Sequence, residues 1–408
     1  MKKVLVASAV AVLAVPAMAQ EMKLPTVYGQ VNKAILYTTQ KKEKNYSKMS
    51  NLVDVKGSES RLGAKGTHEI NTLKVNYNLL MGLDSSDTVT SSTDPVGTNG
   101  TPTGRIRIRN AEVSMSDAWG TVFMGQTADI ASVVGQKMDP LASTVVGQIG
   151  SDMSFYVKNA TTNLGYIERS RVDQIGYKTP ELMGLQLALA NGKVAVDSTT
   201  VADDSNDDNR VGSTLAGSGQ GSHAGNRMNA LLSYNHAFND MMKMEAYVGY
   251  NDLKAAAYKS YNDYLAAASF TYGEFTFNGE YTKLNKQNSP TATALTPYKI
   301  KETYIQAAVK WIHGDHIAAL TFGNRKNEQD GRTLTSANEN NHVGSTNGRY
   351  QQIAAGYMYN LNKYVQLRGV YAHYSVKTEN TNGRTSATDA VAFKNSADVF
   401  SLGTLVTF

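Results

Sequence analysis

The sequence predicts an all-β fold: a transmembrane, antiparallel, up-and-down β-barrel of 16 strands. Three observations predict it: apolar and polar residues alternate in many segments, the connections alternate between short and long, and the composition favours strands. Tyr occurs 23 times among 408 residues, whereas Pro occurs only 8 times. Aromatic residues suit pleated surfaces, and proline is rare in long paired strands because it cannot donate a backbone hydrogen bond.

Alternation with a period of two indicates a strand whose two faces meet different surroundings. Leu73, Val75 and Tyr77 alternate with Lys74 and Asn76, for example. The predicted strands are 26–38, 58–68, 72–84, 104–116, 119–127, 171–179, 183–192, 226–238, 241–251, 261–272, 274–286, 299–312, 315–326, 349–360, 363–376 and 397–408.

The connections between these segments alternate in length. Short ones lie at 69–71, 118, 180–182, 239–240, 314 and 361–362, and long ones at 39–57, 85–103, 128–170, 193–225, 287–298, 327–348 and 377–396. A meander with tight turns at one end and long polar loops at the other is typical of a barrel in a bacterial outer membrane. The sequence after residue 19 has no apolar run of the roughly 20 residues that a transmembrane helix needs, whereas tilted strands of these lengths would cross a bilayer.

The N-terminus predicts export. Lys2 and Lys3 precede the apolar run 4–15, and the small-residue pattern 17–19 follows it, as in a secretory signal peptide. We therefore expect residues 1–19 to be cleaved as a signal peptide and residues 20–408 to form a single barrel domain in the outer membrane.

The composition argues against several other classes of protein. Cysteine is absent, which leaves no thiolate for a metal site or a nucleophile. Without Lys2 and Lys3 the chain has 38 basic and 35 acidic residues, a net charge of +3, which gives no reason to expect a nucleic-acid partner. No cofactor, metal site or catalytic residue is predicted.

The last segment fits a closed barrel, in which the last strand pairs with the first because an open sheet edge cannot face hydrocarbon. Phe400, Leu402, Val406 and Phe408 share one face of this segment.

Five short motifs occur in the same order as in a known family. They are 26–32 (TVYGQVN), 60–67 (SRLGAKGT), 109–115 with 119–126 (RNAEVSM and WGTVFMGQ), 171–185 (RVDQIGYKTP followed by MGL) and the terminal Phe408. In these motifs the chain resembles the trimeric general diffusion porins of Gram-negative bacteria. From about residue 193 to 396 the resemblance is only architectural.

The resemblance implies a homotrimer of sixteen-stranded barrels that lets ions and small hydrophilic solutes diffuse through a water-filled channel. It also implies that the third long connection folds into the pore as a constriction. That connection, here called loop 3, spans 128–170 and is the longest in the chain. The implied partners are outer-membrane lipid and lipopolysaccharide, together with the diffusing solutes.

The resemblance places the basic side of the constriction at Arg61, Lys65, Arg109 and Arg171. Arg61 and Lys65 share a strand face opposite to Leu62, which points both charges into the lumen, because a basic residue facing lipid at mid-membrane costs about 2–4 kcal/mol. The alternative is that the arginines lie at the rim or form structural pairs.

The opposing acids are expected in loop 3, where Asp129, Asp139 and Asp152 are the candidates. We prefer Asp139, beside Pro140. The loop lacks the acidic signature common in the family, so the acidic positions stay open. Four basic residues against these acids predict a weak preference for anions.

Other functions remain open at this point. A channel specific for sugars, phosphate or a dicarboxylate would keep the fold, and so would a barrel enzyme or an adhesin. The pair His313 and His316 has metal-like spacing but falls in a predicted turn, and the acidic cluster Asp203–Asp208 lacks the order of a calcium loop. We expect a solvated turn and a solvated loop, with divalent-cation binding by the acidic loop left open.

Overall fold

The computed structural model describes residues 24–40, 49–54, 58, 60–84, 105–144, 146, 171–196, 223–254, 258–288, 299–330, 345–381 and 393–408. The predicted signal peptide 1–19 and the acidic cluster Asp203–Asp208 lie outside these residues. No helix within the described residues is long and apolar enough to cross a membrane.

Antiparallel strands and one short helix make up the described chain. The helix is α1 (Ser132–Met138). The strands are β1 (Thr26–Gln40), β2 (Met49–Asp54), β3 (Ser60–Ile70), β4 (Leu73–Asp84), β5 (Arg105–Asp117), β6 (Gly120–Ala128), β7 (Arg171–Lys178), β8 (Leu185–Val196), β9 (His223–Asn239), β10 (Met242–Lys254), β11 (Tyr258–Tyr272), β12 (Phe275–Asn288), β13 (Lys299–His313), β14 (His316–Asp330), β15 (Ser345–Asn360), β16 (Val365–Thr381) and β17 (Phe393–Thr407).

Each strand pairs with its neighbours in sequence, and β17 pairs with β1, so the sheet closes on itself. The seam runs from Gln30 opposite Thr407 to Gln40 opposite Ala397. Beyond it, the backbone of Gly29 exchanges two hydrogen bonds with that of Phe408, at 2.9 and 3.1 Å. The predicted closure is confirmed.

The strand β2 was not predicted. It pairs with residues 33–38 of β1, and β3 pairs with residues 26–30 of the same strand, so β2 and β3 are two segments of one barrel strand. The barrel therefore has sixteen strands around its circumference, as predicted, and β2 occupies part of what was expected to be the first long connection.

The two faces of each strand meet different surroundings. On β1, Val27, Val31 and Ile35 are exposed on the outer surface, while Asn32 and Ala34, between Val31 and Ile35, are buried inside the barrel. Lipid replaces water as the solvent of the outer face, so exposed apolar side chains are stable there.

Aromatic side chains are concentrated near the two ends of the outer face. Trp119 and Tyr177 stack beside a short turn, with ring centroids 6.4 Å apart, and Tyr250 packs on Tyr264 at 5.2 Å towards the opposite end. Rings at both ends match the aromatic girdles of outer-membrane barrels, which lie at the level of the lipid head groups.

Candidate functional site

Loop 3 turns into the barrel directly after β6. Asp129 fixes the turn: its Oδ1 accepts hydrogen bonds from the backbone N–H groups of Ala131, at 2.9 Å, and Ser132, at 3.4 Å. Its Oδ2 lies 3.3 Å from Nη1 of Arg227 on β9, and both side chains are fully buried. This ion pair holds the start of the loop against the inner wall.

From there α1 packs along the wall with its apolar residues. Ala131, Val134 and Met138 form a buried cluster with Leu265 and Ala267 of β11. A seven-residue helix is too short to be stable alone, so this contact, rather than helix propensity, stabilises it.

The end of α1 is tied to the next two strands. The backbone carbonyl of Met138 accepts hydrogen bonds from Nδ2 of Asn278 on β12, at 2.9 Å, and Nε2 of Gln306 on β13, at 3.0 Å. Asp139 is buried, and its Oδ1 accepts a hydrogen bond from the N–H of Leu141 at 2.9 Å. These bonds set the direction in which the chain leaves the helix.

The loop then continues to the other side of the closure seam. Leu141 packs over Gly356 on β15, and the carbonyl of Ser143 accepts hydrogen bonds from Nδ2 of Asn32 on β1, at 3.1 Å, and from Nη1 of Arg368 on β16. The described part of loop 3 thus lies against the inner wall from β9 to β16 and β1. The part of the wall that it leaves uncovered includes β3, β4 and β5.

Arg61 and Lys65 stand on that uncovered wall. Nη2 of Arg61 donates a hydrogen bond to Oε1 of Gln30 at 2.9 Å, and Gln30 is held in turn by Ser58. Lys65 is exposed, and its ammonium group lies 5.0 Å from the centre of the Tyr28 ring. Both charges therefore occupy inward-facing positions of β3.

Arg109 reaches the lumen through an irregularity that alternation does not reveal. Strict alternation with the exposed Ala111 and Val113 would place it on the lipid face. The pairing of β4 and β5 shifts by one residue here, since Leu80 pairs with Asn110 but Met81 pairs with Ile108. Such a bulge re-aims the extra side chain, and Arg109 is accordingly buried on the inside.

Arg171 comes close to Arg109 although it belongs to β7. Its Nη1 donates hydrogen bonds to the carbonyl of Arg109, at 2.6 Å, and to Oδ1 of Asn110. To do so its side chain crosses the end of β6, which lies between the two strands. The structure therefore brings Arg109 and Arg171 together and places Arg61 on the neighbouring part of the wall.

The three acidic candidates have different settings. Asp129 and Asp139 are both buried, the first against Arg227 and the second in the turn after α1. Asp152 lies outside the described residues.

Lys137 is a charged loop residue that the sequence analysis did not single out. Its ammonium group lies 2.7 Å from Oε2 of Glu245 and donates a hydrogen bond to the hydroxyl of Tyr247 at 2.6 Å, both on β10. Burial lowers the pKa of Lys137, but these hydrogen bonds raise it by more, so its pKa lies above the ordinary value. Lys243 holds the other oxygen of the same carboxylate at 2.7 Å.

The predicted turn with two histidines forms no metal centre among the described residues, where no group of three or more potential ligands occurs. Nδ1 of His313 lies 2.6 Å from Oε1 of Glu274, and Nδ1 of His316 lies 2.6 Å from the hydroxyl of Tyr357. Both histidines belong to the outer girdle.

The closed barrel with an inward loop agrees with a family comparison. The family model described as Gram-negative porin matches residues 6–379 of the chain. The chain is a Gram-negative porin. It forms a water-filled channel in the outer membrane through which small hydrophilic solutes diffuse passively, and this assignment is favoured over a substrate-specific channel.

Solved structures share the fold of this porin at low sequence identity. An anion-selective porin from Comamonas acidovorans is 17% identical, with a TM-score of 0.57 over 94% of this chain and 99% of that one. The outer-membrane channel DcaP of Acinetobacter baumannii is 13% identical, with a TM-score of 0.58 over 94% and 97%. The trimer form of OmpT from Vibrio cholerae is 13% identical, with a TM-score of 0.51 over 95% and 100%. No curated protein matches the chain.

Proposed function

We propose that solutes cross this porin between loop 3 and the uncovered wall that carries Arg61, Lys65 and Arg109, and that the passage weakly prefers anions. The observation that carries the proposal is the path of the described part of loop 3, residues 128–144 and 146, which lies against the wall from β9 to β16 and β1 and leaves these three cations on the inner surface opposite.

The charge balance supports the preference for anions. The carboxylates of Asp129, Glu245 and Glu302 each face a basic partner: Arg227, Lys137 with Lys243, and Arg325. Paired charges contribute little net field at a distance, whereas Lys65 is exposed on the inner surface and forms no ion pair among the described residues. Glu112 is on the same inner face two strands away, across Asn78. Rings of side-chain charge of one sign set the ion preference of a pore.

For Asp129 and Asp139 we propose a positioning role, because both carboxylates accept hydrogen bonds from the backbone of loop 3 itself. Asp152 is the remaining candidate for an acidic group facing the passage. Arg171 supports the basic side by holding the backbone of Arg109.

We further propose that the mature protein begins after residue 19, assembles as a homotrimer, contacts lipid and lipopolysaccharide through its outer face, and transports solutes without catalysis. The trimer form of the Vibrio cholerae relative supports the oligomeric state. The apolar outer face with aromatic side chains at both ends supports the contact with lipid.

Conductance in a planar bilayer under a salt gradient tests the proposal. The wild-type reversal potential should have the sign of anion preference, and Arg61→Gln with Lys65→Gln should move it towards cations. Lys193→Gln, on the outer face, is the matched control and should leave it unchanged. A cation-selective wild type, or an equal shift in the control, would overturn the proposed ion preference.

A further inference from the structure

Part of the uncovered wall carries a cation and an anion in one row, with a neutral amide between them. The register pairs Lys65 of β3 with Asn78 of β4, and Asn78 with Glu112 of β5. These three residues are called the charged row below. Lys65 is exposed to the lumen, and Asn78 and Glu112 are partly exposed. Because neighbouring strands are about 4.8 Å apart, the backbones of Lys65 and Glu112 are about 10 Å apart.

The two charges of this row form no ion pair within the described part of the chain. The ammonium group of Lys65 lies 5.0 Å from the centre of the Tyr28 ring, and Tyr28 belongs to β1, on the side of β3 away from Glu112. On β6 the residue opposite Glu112 is Gly125, which has no side chain to contact the carboxylate. The ammonium and the carboxylate therefore flank Asn78 without meeting above it.

The same wall contains a second pair of opposite charges that is built differently. Nearer the short turn, Glu69 lies directly opposite Lys74, and Nζ of Lys74 is 3.7 Å from Oε1 of Glu69. These two charges neutralise each other. In the charged row the intervening strand β4 keeps the opposite charges apart, so each one faces the lumen.

A hydrogen bond fixes the amide in the middle of the charged row. The hydroxyl of Tyr28 donates to Oδ1 of Asn78 at 2.5 Å, which leaves the Nδ2 group of Asn78 as a donor beside Lys65. A carboxylate accepts hydrogen bonds from an ammonium group and from an amide N–H, and an ammonium group donates to a carboxylate. The row thus offers partners for a negative group at Lys65 and Asn78, and for a positive group at Glu112.

We propose that the charged row binds small zwitterions of the α-amino acid type, with the carboxylate at Lys65 and Asn78 and the ammonium group at Glu112. This proposal rests on the proposed path of solutes along the uncovered wall, and it names a class of solute that this path favours within general diffusion. The acid of this site belongs to the barrel wall and lies beside the cation, so the site does not depend on the acids of loop 3.

The proposed site distinguishes a zwitterion from solutes of other charge. A solute with only a negative charge is repelled by Glu112, and one with only a positive charge is repelled by Lys65. An uncharged solute forms an ion pair with neither residue. A zwitterion alone can satisfy both charges at once.

Swelling of liposomes that contain the full-length porin tests the proposal with two isomers of the same size, zwitterionic alanine and uncharged lactamide. The rate in vesicles without porin is subtracted. Since an exposed ion pair contributes at most about fivefold, alanine should enter about two- to fivefold faster than lactamide through the wild type. Glu112→Gln and Lys65→Gln should each lower this ratio to about one. The exchange variant, Lys65→Glu with Glu112→Lys, should restore it, because a zwitterion can bind in the reverse orientation.

Each ratio is taken within one protein, so differences in the number of folded channels cancel. A ratio that both single variants lower and the exchange variant restores supports the proposal. Equal rates for the two isomers in the wild type overturn it, as do an unchanged ratio in Glu112→Gln and an exchange variant with a ratio as low as that of the single variants.

The reversal potential in a salt gradient separates this result from the proposed ion preference. Glu112→Gln should strengthen the preference for anions while it lowers the ratio of alanine to lactamide. A cation-selective wild type would overturn the ion preference alone, whereas equal rates of the two isomers would overturn the zwitterion site alone.

Discussion

Gly356 lets loop 3 lie directly against the barrel wall. It occupies an inward-facing position of β15, and a Cβ atom there would lie 2.5 Å from Cδ2 of Leu141. Leu141 belongs to the buried cluster that includes Val370 and Met358. The missing side chain of one residue therefore sets how far the loop projects into the lumen.

We predict that Gly356→Val pushes loop 3 away from the wall and lowers single-channel conductance. Overpacking a filled site costs about 1–3 kcal/mol, and the loop is easier to displace than the barrel wall. Ala355→Val, which adds the same kind of side chain to the outer face, is the control and should conduct as the wild type does. Adding Leu141→Ala to Gly356→Val should restore conductance; if it does not, the loss has another cause than this contact.

At the scale of elements, loop 3 depends on a few bonds between charged or polar groups rather than on a strand partner. Lys137 anchors α1 to β10 through Glu245 and Tyr247. Its pKa is raised in the folded protein, so the stability it contributes is fully present below the pKa of an unfolded lysine, about 10.4, and is lost as the pH rises through the higher folded value.

We therefore predict that the open-channel current noise caused by movement of loop 3 stays constant from neutral pH to about pH 10. Above that pH the noise should rise, because the anchor at Lys137 is lost. In Glu245→Gln the bonds that raise the pKa of Lys137 are weakened, so the rise should begin at a lower pH. Lys243→Gln is the control, because Lys243 holds the other carboxylate oxygen and leaves the contact with Lys137 in place. Noise that sets in at the same pH in all three proteins would rule out this anchor.

The strands were predictable from sequence because membrane and lumen impose alternation on nearly every residue, as in β4, predicted at 72–84 and found at Leu73–Asp84. The strand β2 was missed because it forms by pairing with residues 33–38 of β1, to which β3 does not pair, and its own sequence pattern does not mark it as a strand. Arg227 and Arg368 lie at inward-facing positions, so parity could have marked them as lumen residues. Which loop segment each one holds depends on the path of loop 3, and no local pattern encodes it.

For the molecule as a whole, stability requires that β1 and β17 meet, because unpaired backbone groups in hydrocarbon cost several kcal/mol each. These strands are far apart in the sequence, yet they pair over residues 30–40 and 397–407. All other neighbouring strands are joined by a connection, so the seam alone depends on the completed circle.

A disulfide across the seam tests this closure. The backbone bonds between Gly29 and Phe408 mark a hydrogen-bonded pair, so seven residues further Leu36 and Ser401 form a non-hydrogen-bonded pair, the type in which side chains lie closer. Because the chain has no cysteine, Leu36→Cys with Ser401→Cys gives a single possible disulfide. It should form in the folded barrel and raise the unfolding temperature under oxidising conditions, since a cross-link that closes the long chain segment between residues 36 and 401 is worth up to about 5 kcal/mol.

Leu36→Cys with Val370→Cys is the control: β17 separates these residues, which places them about 10 Å apart, beyond the reach of a disulfide. A disulfide in the control, or none at the seam, would contradict the register of the closed barrel.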